Sequence, residues 1–227
     1  MSRIDTETDL LQAIAELAEL CPHMARAHAD VGIPPLRRWP AGLETLVRLV
    51  IDQQVSLASA AAIRARFSAA FPGADVAALA AADDTAFVAC GLSRNKIRTI
   101  RALATAVADG TLDLDVLDAM DDEEVRDRLT ALPGIGPWTA DMYLLAGLGR
   151  RDAWPGGDLA LQVGWMALSG ADSRPDIRTL AAVADRWRPW RAVAARLLWS
   201  YYARGKTPQR EGLHTPVAQD IVSRKER

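Results

Sequence analysis

Apolar residues recur at Leu10, Leu11, Ile14, Leu17 and Ala18, the spacing of a helix that buries one face over residues 7–20. Gly32–Pro40, which carries Pro34, Pro35 and Pro40, reads as a turn-rich connection. A longer helical pattern runs from Ala41 to Phe71 through Leu43, Leu46, Val47, Val50, Ile63 and Phe67. Polar residues interrupt it at Asp52–Ser56, so the pattern predicts two helices joined by an elbow, the second ended by Pro72–Gly73. Short alanine-rich helices are expected over 75–81 and 84–90, followed by Lys96–Asp109 and Asp115–Ala119. Asp121 with Glu124 three positions on has the form of a capping box for a helix running to Ala131. Pro137 suits the first turn of a helix through Ala146. After a loop at Arg150–Gly157, Asp158 opens a helix through Leu168; further helices are expected over 176–188 and from Pro189 to Ala203. Strand-like alternation never exceeds four residues, so the expected fold class is all-α.

Composition agrees with that pattern. The 227 residues include 42 alanines and only 13 aromatics, a balance that favours helix over sheet. Seven aromatics are Trp, and six of these fall between Trp138 and Trp199. The net charge of −2 excludes a uniformly basic nucleic-acid coat, yet charge is uneven: residues 1–127 carry −8 and residues 128–227 carry +6. That asymmetry points to a local polyanion contact. Two cysteines, Cys21 and Cys90, are too few for a disulfide framework, a four-Cys zinc site or a four-Cys iron–sulfur cluster. His23, His28 and His214 are scattered and read as surface or capping residues. With no signal-like N-terminus and no run of 18 apolar residues, a soluble, cytoplasmic protein without a membrane partner is expected.

Chemistry concentrates in two loops. In Leu132-Pro-Gly-Ile-Gly136, two glycines after a proline and before a helix permit positive φ and close approach of backbone to a ligand. Amides there, with the helix dipole behind them, form a ready phosphate site. Alone, such a turn is more often a plain connection between packed helices. The longer string Leu132-Pro-Gly-Ile-Gly-Pro-Trp-Thr-Ala140 is more specific, and it resembles the helix–hairpin–helix of the DNA glycosylases named for this motif. Their Gly/Pro-rich loop ending in Asp is matched by Trp154-Pro-Gly-Gly-Asp158. Asp52-Gln-Gln-Val-Ser56 resembles their elbow, and Gly91-Leu-Ser-Arg-Asn-Lys96 their following turn. Arg186-Trp-Arg-Pro-Trp-Arg191 with Leu198-Trp199 resembles the DNA-3-methyladenine glycosylase II branch. The likeness spans residues 40–204, in a compact form lacking the N-terminal α/β domain of longer members.

The resemblance implies two helical lobes around a cleft: lobe A about 42–150, with the helix–hairpin–helix at 121–147, and lobe B about 1–41 plus 151–227. It implies a monofunctional enzyme that flips alkylated purines out of double-stranded DNA and hydrolyses their N-glycosidic bond, leaving an abasic site. Asp158 is the expected catalytic carboxylate. It can offset oxocarbenium charge and orient a water, and a position at a helix N-terminus favours the charged form. Trp138, Trp199, Gln53 and Met142 match base-pocket positions, and an electron-rich indole face suits an alkylated, cationic base. Trp138 stands where strand-cleaving relatives carry a Schiff-base Lys, so no lyase activity is expected. Trp154, Trp165, Trp187 and Trp190 read as core. Gln54 matches the minor-groove wedge, where longer members often present an apolar residue. Gly134, Gly136 and Thr139 are expected at DNA phosphates. No organic cofactor is expected; a structural Na+ or K+ on the backbone carbonyls of Thr130, Leu132 and Ile135 is. A monomer is expected. The alternatives are a glycosylase for uracil, hypoxanthine or an oxidised purine, and a non-catalytic helix–hairpin–helix module.

Overall fold

The computed structural model describes residues 3–206. His214, and the part of the second expected lobe beyond residue 206, lie outside the described residues. The fold is all-α. The helices are α1 (Glu7–Leu20), α2 (Pro22–Val31), α3 (Leu43–Asp52), α4 (Leu57–Ala70), α5 (Val76–Ala81), α6 (Asp84–Ala89), α7 (Arg94–Ala108), α8 (Asp122–Thr130), α9 (Pro137–Met142), α10 (Leu159–Ser169), α11 (Ile177–Ala184) and α12 (Arg191–Lys206). Among the described residues the sole β pairing is an isolated bridge between Arg3 and Arg150.

Local chemistry explains most helix boundaries. Thr6 and Asp9 form a capping box on α1, and Asp121 and Glu124 form the expected one on α8. Ser56 caps α4 by accepting from the Ser59 amide. Lys96 Nζ, from α7, donates to the Ile51 carbonyl at 2.8 Å, satisfying the C-terminal end of α3 from outside.

Several elements differ from the sequence pattern: Asp115–Ala119 forms only a 3₁₀ turn over Val116–Asp118, and the helix expected over 176–188 ends at Ala184. Pro22–Val31, for which the apolar pattern predicts no helix, is a full helix with Met24 and Ala27 buried. The segment after Met142 does not continue as α-helix to Ala146; Tyr143–Gly147 widens into a π-helical turn. Its carbonyls serve neighbouring elements instead: Ala146 O accepts from Trp39 N, and Leu145 O from Arg196 Nη2. The last helix begins at Arg191 rather than Pro189, because a 3₁₀ turn over Asp185–Trp187 precedes it.

Packing sorts the helices into two groups. α3 packs on α4, α7 and α9, while α8 lies against α9 and α5 against α7. α12 packs on α1, α2 and α10. Glycine sets the α10–α12 approach, since a Cβ on Gly164 would stand 2.7 Å from the Leu198 carbonyl oxygen. This close crossing fixes the start of α10 relative to Trp199 on α12. Trp154, Trp165 and Trp187 interleave behind it, with ring centroids 5.5 Å and 5.2 Å apart. Trp190 donates its indole N–H to Glu16 at 3.1 Å. Trp154, Trp187 and Trp190 are buried in the core, as the sequence suggested, while Trp165 is partly buried and packs against it. Cys21 and Cys90 are buried thiols, and His28 donates to the Gly32 carbonyl at the end of α2.

Candidate active site

The loop before α10 is clamped at its start by two side chains. Arg150, 3% exposed, donates to the Asp118 and Met120 carbonyls at 2.9 Å and 2.8 Å. Asp152 accepts two hydrogen bonds of 2.9 Å from Arg191 at the head of α12. Between these anchors and the helix, Gly156 is obligatory: a Cβ there would stand 2.8 Å from Trp154 Nε1. The chain therefore turns tightly over Trp154 and delivers Asp158 as the N-cap of α10.

Both carboxylate oxygens of Asp158 are held. Oδ1 accepts from the Ala160 amide at 2.8 Å, and Oδ2 accepts from Trp138 Nε1 at 3.1 Å. Trp138 is half-buried and belongs to α9, directly after the hairpin. The expected catalytic carboxylate and the expected pocket indole are thus hydrogen-bonded across the two helix groups. A second cation-bearing wall completes the cluster. Arg37, in the proline-rich strap before α3, places its guanidinium 4.9 Å from the centre of the Trp199 ring. Surrounding protein pulls the Arg37 pKa below its ordinary value, and the nearby Asp158 charge opposes that shift.

The hairpin itself is built on exclusion. Gly134 has φ 81, and a Cβ there would fall 1.9 Å from Thr99 Oγ1 on α7. Gly136 instead faces open space. Ile135 between them is 4% exposed and pins the turn to the core. Gln53, at the end of α3, donates its side-chain amide to Gly134 O at 3.2 Å and to Thr139 Oγ1 at 2.9 Å. It therefore ties the elbow to the hairpin.

Thr139 lies inside the hairpin. It is 2% exposed, its hydroxyl accepts from Gln53, and its amide donates to Gly136 O at 3.0 Å within the first turn of α9. None of these groups is presented to a phosphate. Met142, 5% exposed, is packed into the core at the end of α9.

At the elbow Gln54 is exposed with φ 54, a backbone state unusual outside glycine. Three positions later, at the first residue of α4, Leu57 is 88% exposed, the most exposed large apolar side chain among the described residues. Asp52 pairs with Arg64 behind the elbow.

The sequence matches the family described as HhH-GPD superfamily base excision DNA repair protein over residues 47–189, which includes the elbow, the hairpin and Asp158. The chain belongs to this family. Among HhH-GPD relatives, a Mycobacterium tuberculosis protein named "Probable bifunctional transcriptional activator/DNA repair enzyme AlkA" is 35% identical over 202 residues, covering 83% of this chain. This chain spans 39% of that relative's length. DNA-3-methyladenine glycosylase 1 of Schizosaccharomyces pombe is 31% identical over 160 residues, covering 69% of this chain and 70% of its own. The solved structure of the S. pombe 3-methyladenine DNA glycosylase in complex with abasic DNA superposes with a TM-score of 0.78 at 29% identity. It covers 83% of this chain and 95% of its own. Within this HhH-GPD member, Arg37 and Leu57 escaped sequence reasoning. Arg37 sits in a connection with no periodicity, and Leu57 lies between the apolar positions that define the pattern.

Proposed function

We propose that this HhH-GPD protein is a monofunctional DNA glycosylase that releases alkylated purines such as 3-methyladenine or 7-methylguanine from double-stranded DNA. The observation that carries the reading is the doubly anchored Asp158 carboxylate facing Trp138. A pure binding module has no need of a carboxylate fixed beside an indole. Related proteins named for 3-methyladenine release support the substrate class.

Cleavage of an N-alkylated purine leaves positive charge on the deoxyribose as the C1′–N bond breaks and its electron pair goes to the base. Asp158, with both oxygens aimed by Ala160 and Trp138, holds negative charge where that cation forms. Preorganised charge of this kind is worth roughly 3–4 kcal/mol of barrier. A water then forms the new C1′–O bond and gives its proton to Asp158 or to solvent. An alkylated base is already cationic, so it departs neutral without a protein acid. Trp138 offers an indole rather than an amine, and no Schiff base or strand cleavage follows.

On DNA, the Gly134 and Gly136 backbone approaches a phosphate. Gln54 and Leu57 enter the minor groove at the vacated base. Three neutral carbonyls, of Thr130, Leu132 and Ile135, suit one Na+ or K+ behind that phosphate. Leu132 O accepts from Ile135 N at 3.2 Å and retains a second lone pair for the ion. Such an ion would add positive charge at the phosphate contact. The protein acts as a monomer wherever chromosomal DNA is; among the described residues no helix is long and apolar enough to cross a membrane. Incubation with duplexes each bearing one defined lesion, with released bases identified by mass, tests the reading. Release of 3- or 7-alkylpurine supports it; release of uracil, hypoxanthine or an oxidised purine alone replaces the substrate class.

A further inference from the structure

Trp199 is only 6% exposed, and a cation covers it: the Arg37 guanidinium lies 4.9 Å from its ring centre. The strap that carries Arg37 is fixed on both sides. Leu36 O accepts from the buried Arg196 Nε at 2.7 Å, and Trp39 N donates to Ala146 O at 2.9 Å. Between those anchors the Arg37 backbone takes φ 52, a left-handed state costly for a non-glycine residue. The residue as a whole keeps contact with solvent, while its guanidinium is partly desolvated against Trp199. A strap anchored on both sides thus holds a cation over the indole, within range of the Asp158 charge.

We propose that Arg37 determines the specificity of this site by occupying the base-stacking face of Trp199, so that an entering base must exchange with a cation. The inference rests on the glycosylase reading above and adds a selection step to it. A guanidinium is planar, positively charged and paired electrostatically with a carboxylate, the same properties that distinguish an alkylated purinium base. When an alkylated base enters, one cation replaces another, and Trp199 and Asp158 keep a positive neighbour. Arg37 is then released to water, where its charge is well solvated. When a neutral base enters, the same displacement leaves the indole face and the carboxylate without a cation. Normal purines therefore meet an opposing free-energy difference that alkylated ones do not.

The test compares wild type with Arg37→Gln and Arg37→Lys on two duplexes, one with 7-methylguanine and one with hypoxanthine, each assayed for single-turnover base release. Circular dichroism and melting confirm folding, which this exposed position is expected to tolerate. Gln keeps a planar polar group and removes the charge; Lys keeps the charge. The proposal predicts that Arg37→Gln raises hypoxanthine release relative to 7-methylguanine release, lowering the selectivity ratio by about tenfold, the scale of a partly desolvated cation–π contact. Arg37→Lys should restore most of the ratio. An Arg37→Gln ratio equal to wild type overturns the proposal while leaving the glycosylase reading intact. Greater gain for 7-methylguanine than for hypoxanthine also overturns it. A wild-type protein that releases neither base sinks both.

Discussion

Trp138 donates its indole N–H to Asp158 Oδ2 at 3.1 Å, joining the helix after the hairpin to the helix that carries the carboxylate. On the proposed reading the indole has two uses: its face receives a base, and its edge orients the acid. Replacing Trp138 by Phe keeps the face and removes the edge. Single-turnover base release should fall about tenfold, the value of one hydrogen bond to a charged group. DNA affinity, measured by fluorescence anisotropy, should change less than twofold. Equal losses in release and affinity would show that the ring, not its N–H, matters.

The two hairpin glycines should separate folding from binding. Gly134→Ala places a Cβ against Thr99 in a positive-φ residue and should destabilise the protein by roughly 2 kcal/mol or more in urea unfolding. Gly136→Asp has room, so it should unfold like wild type yet bind duplex DNA about tenfold more weakly, since one phosphate contact is opposed by a negative charge. Wild-type affinity in Gly136→Asp across a salt titration would remove the hairpin from the DNA interface.

Leu57 is 88% exposed, an arrangement that wastes apolar surface unless something covers it. Leu57→Ala should leave stability within about 0.5 kcal/mol, as surface truncations do. Burial of that side chain in a groove would make the variant's duplex affinity about tenfold weaker. A large loss of stability with unchanged affinity would instead place Leu57 in the fold.

Acid should destabilise the protein through its helix caps and turns. Hydrogen bonds from neighbouring side chains and amides hold Asp9, Asp83, Asp109 and Asp176 below their ordinary 3.8. A carboxylate with a depressed folded pKa contributes stability that is complete above the unfolded value and disappears as pH falls through the folded one. Asp52 and Asp141 oppose this, because burial raises theirs. Asp176→Asn, which removes one such cap, should therefore flatten the fall in the urea midpoint between pH 5 and pH 3 relative to wild type. An unchanged pH dependence would contradict the assignment.

The hairpin, the elbow and the Asp158 loop were legible because glycine, proline and capping residues act over a few positions. Their function in the chain depends on backbone geometry that those residues dictate locally. The surroundings of Thr139 were not legible, because its amide and hydroxyl are consumed by Gly136 and Gln53, which only the assembled hairpin reveals. Arg37 was invisible for the opposite reason. Nothing within its own segment specifies a target, and its meeting with Trp199 depends on Arg196 and Ala146 holding the strap from distant helices. The π-helical turn was likewise hidden, since its gain is carbonyls offered to partners remote in sequence.

The central claim is that Asp158 is the group around which base release is organised. Its most direct test is single-turnover release of 7-methylguanine from a defined duplex by wild type and Asp158→Asn, with affinity measured on the same duplex. Asn keeps an oxygen for the Ala160 amide, so folding and binding should persist while the charge is lost. The account predicts a loss of at least about 100-fold in release, the scale of one preorganised electrostatic contact, with affinity within a few-fold of wild type. Equal release by the two proteins, or binding without release by both, would contradict it.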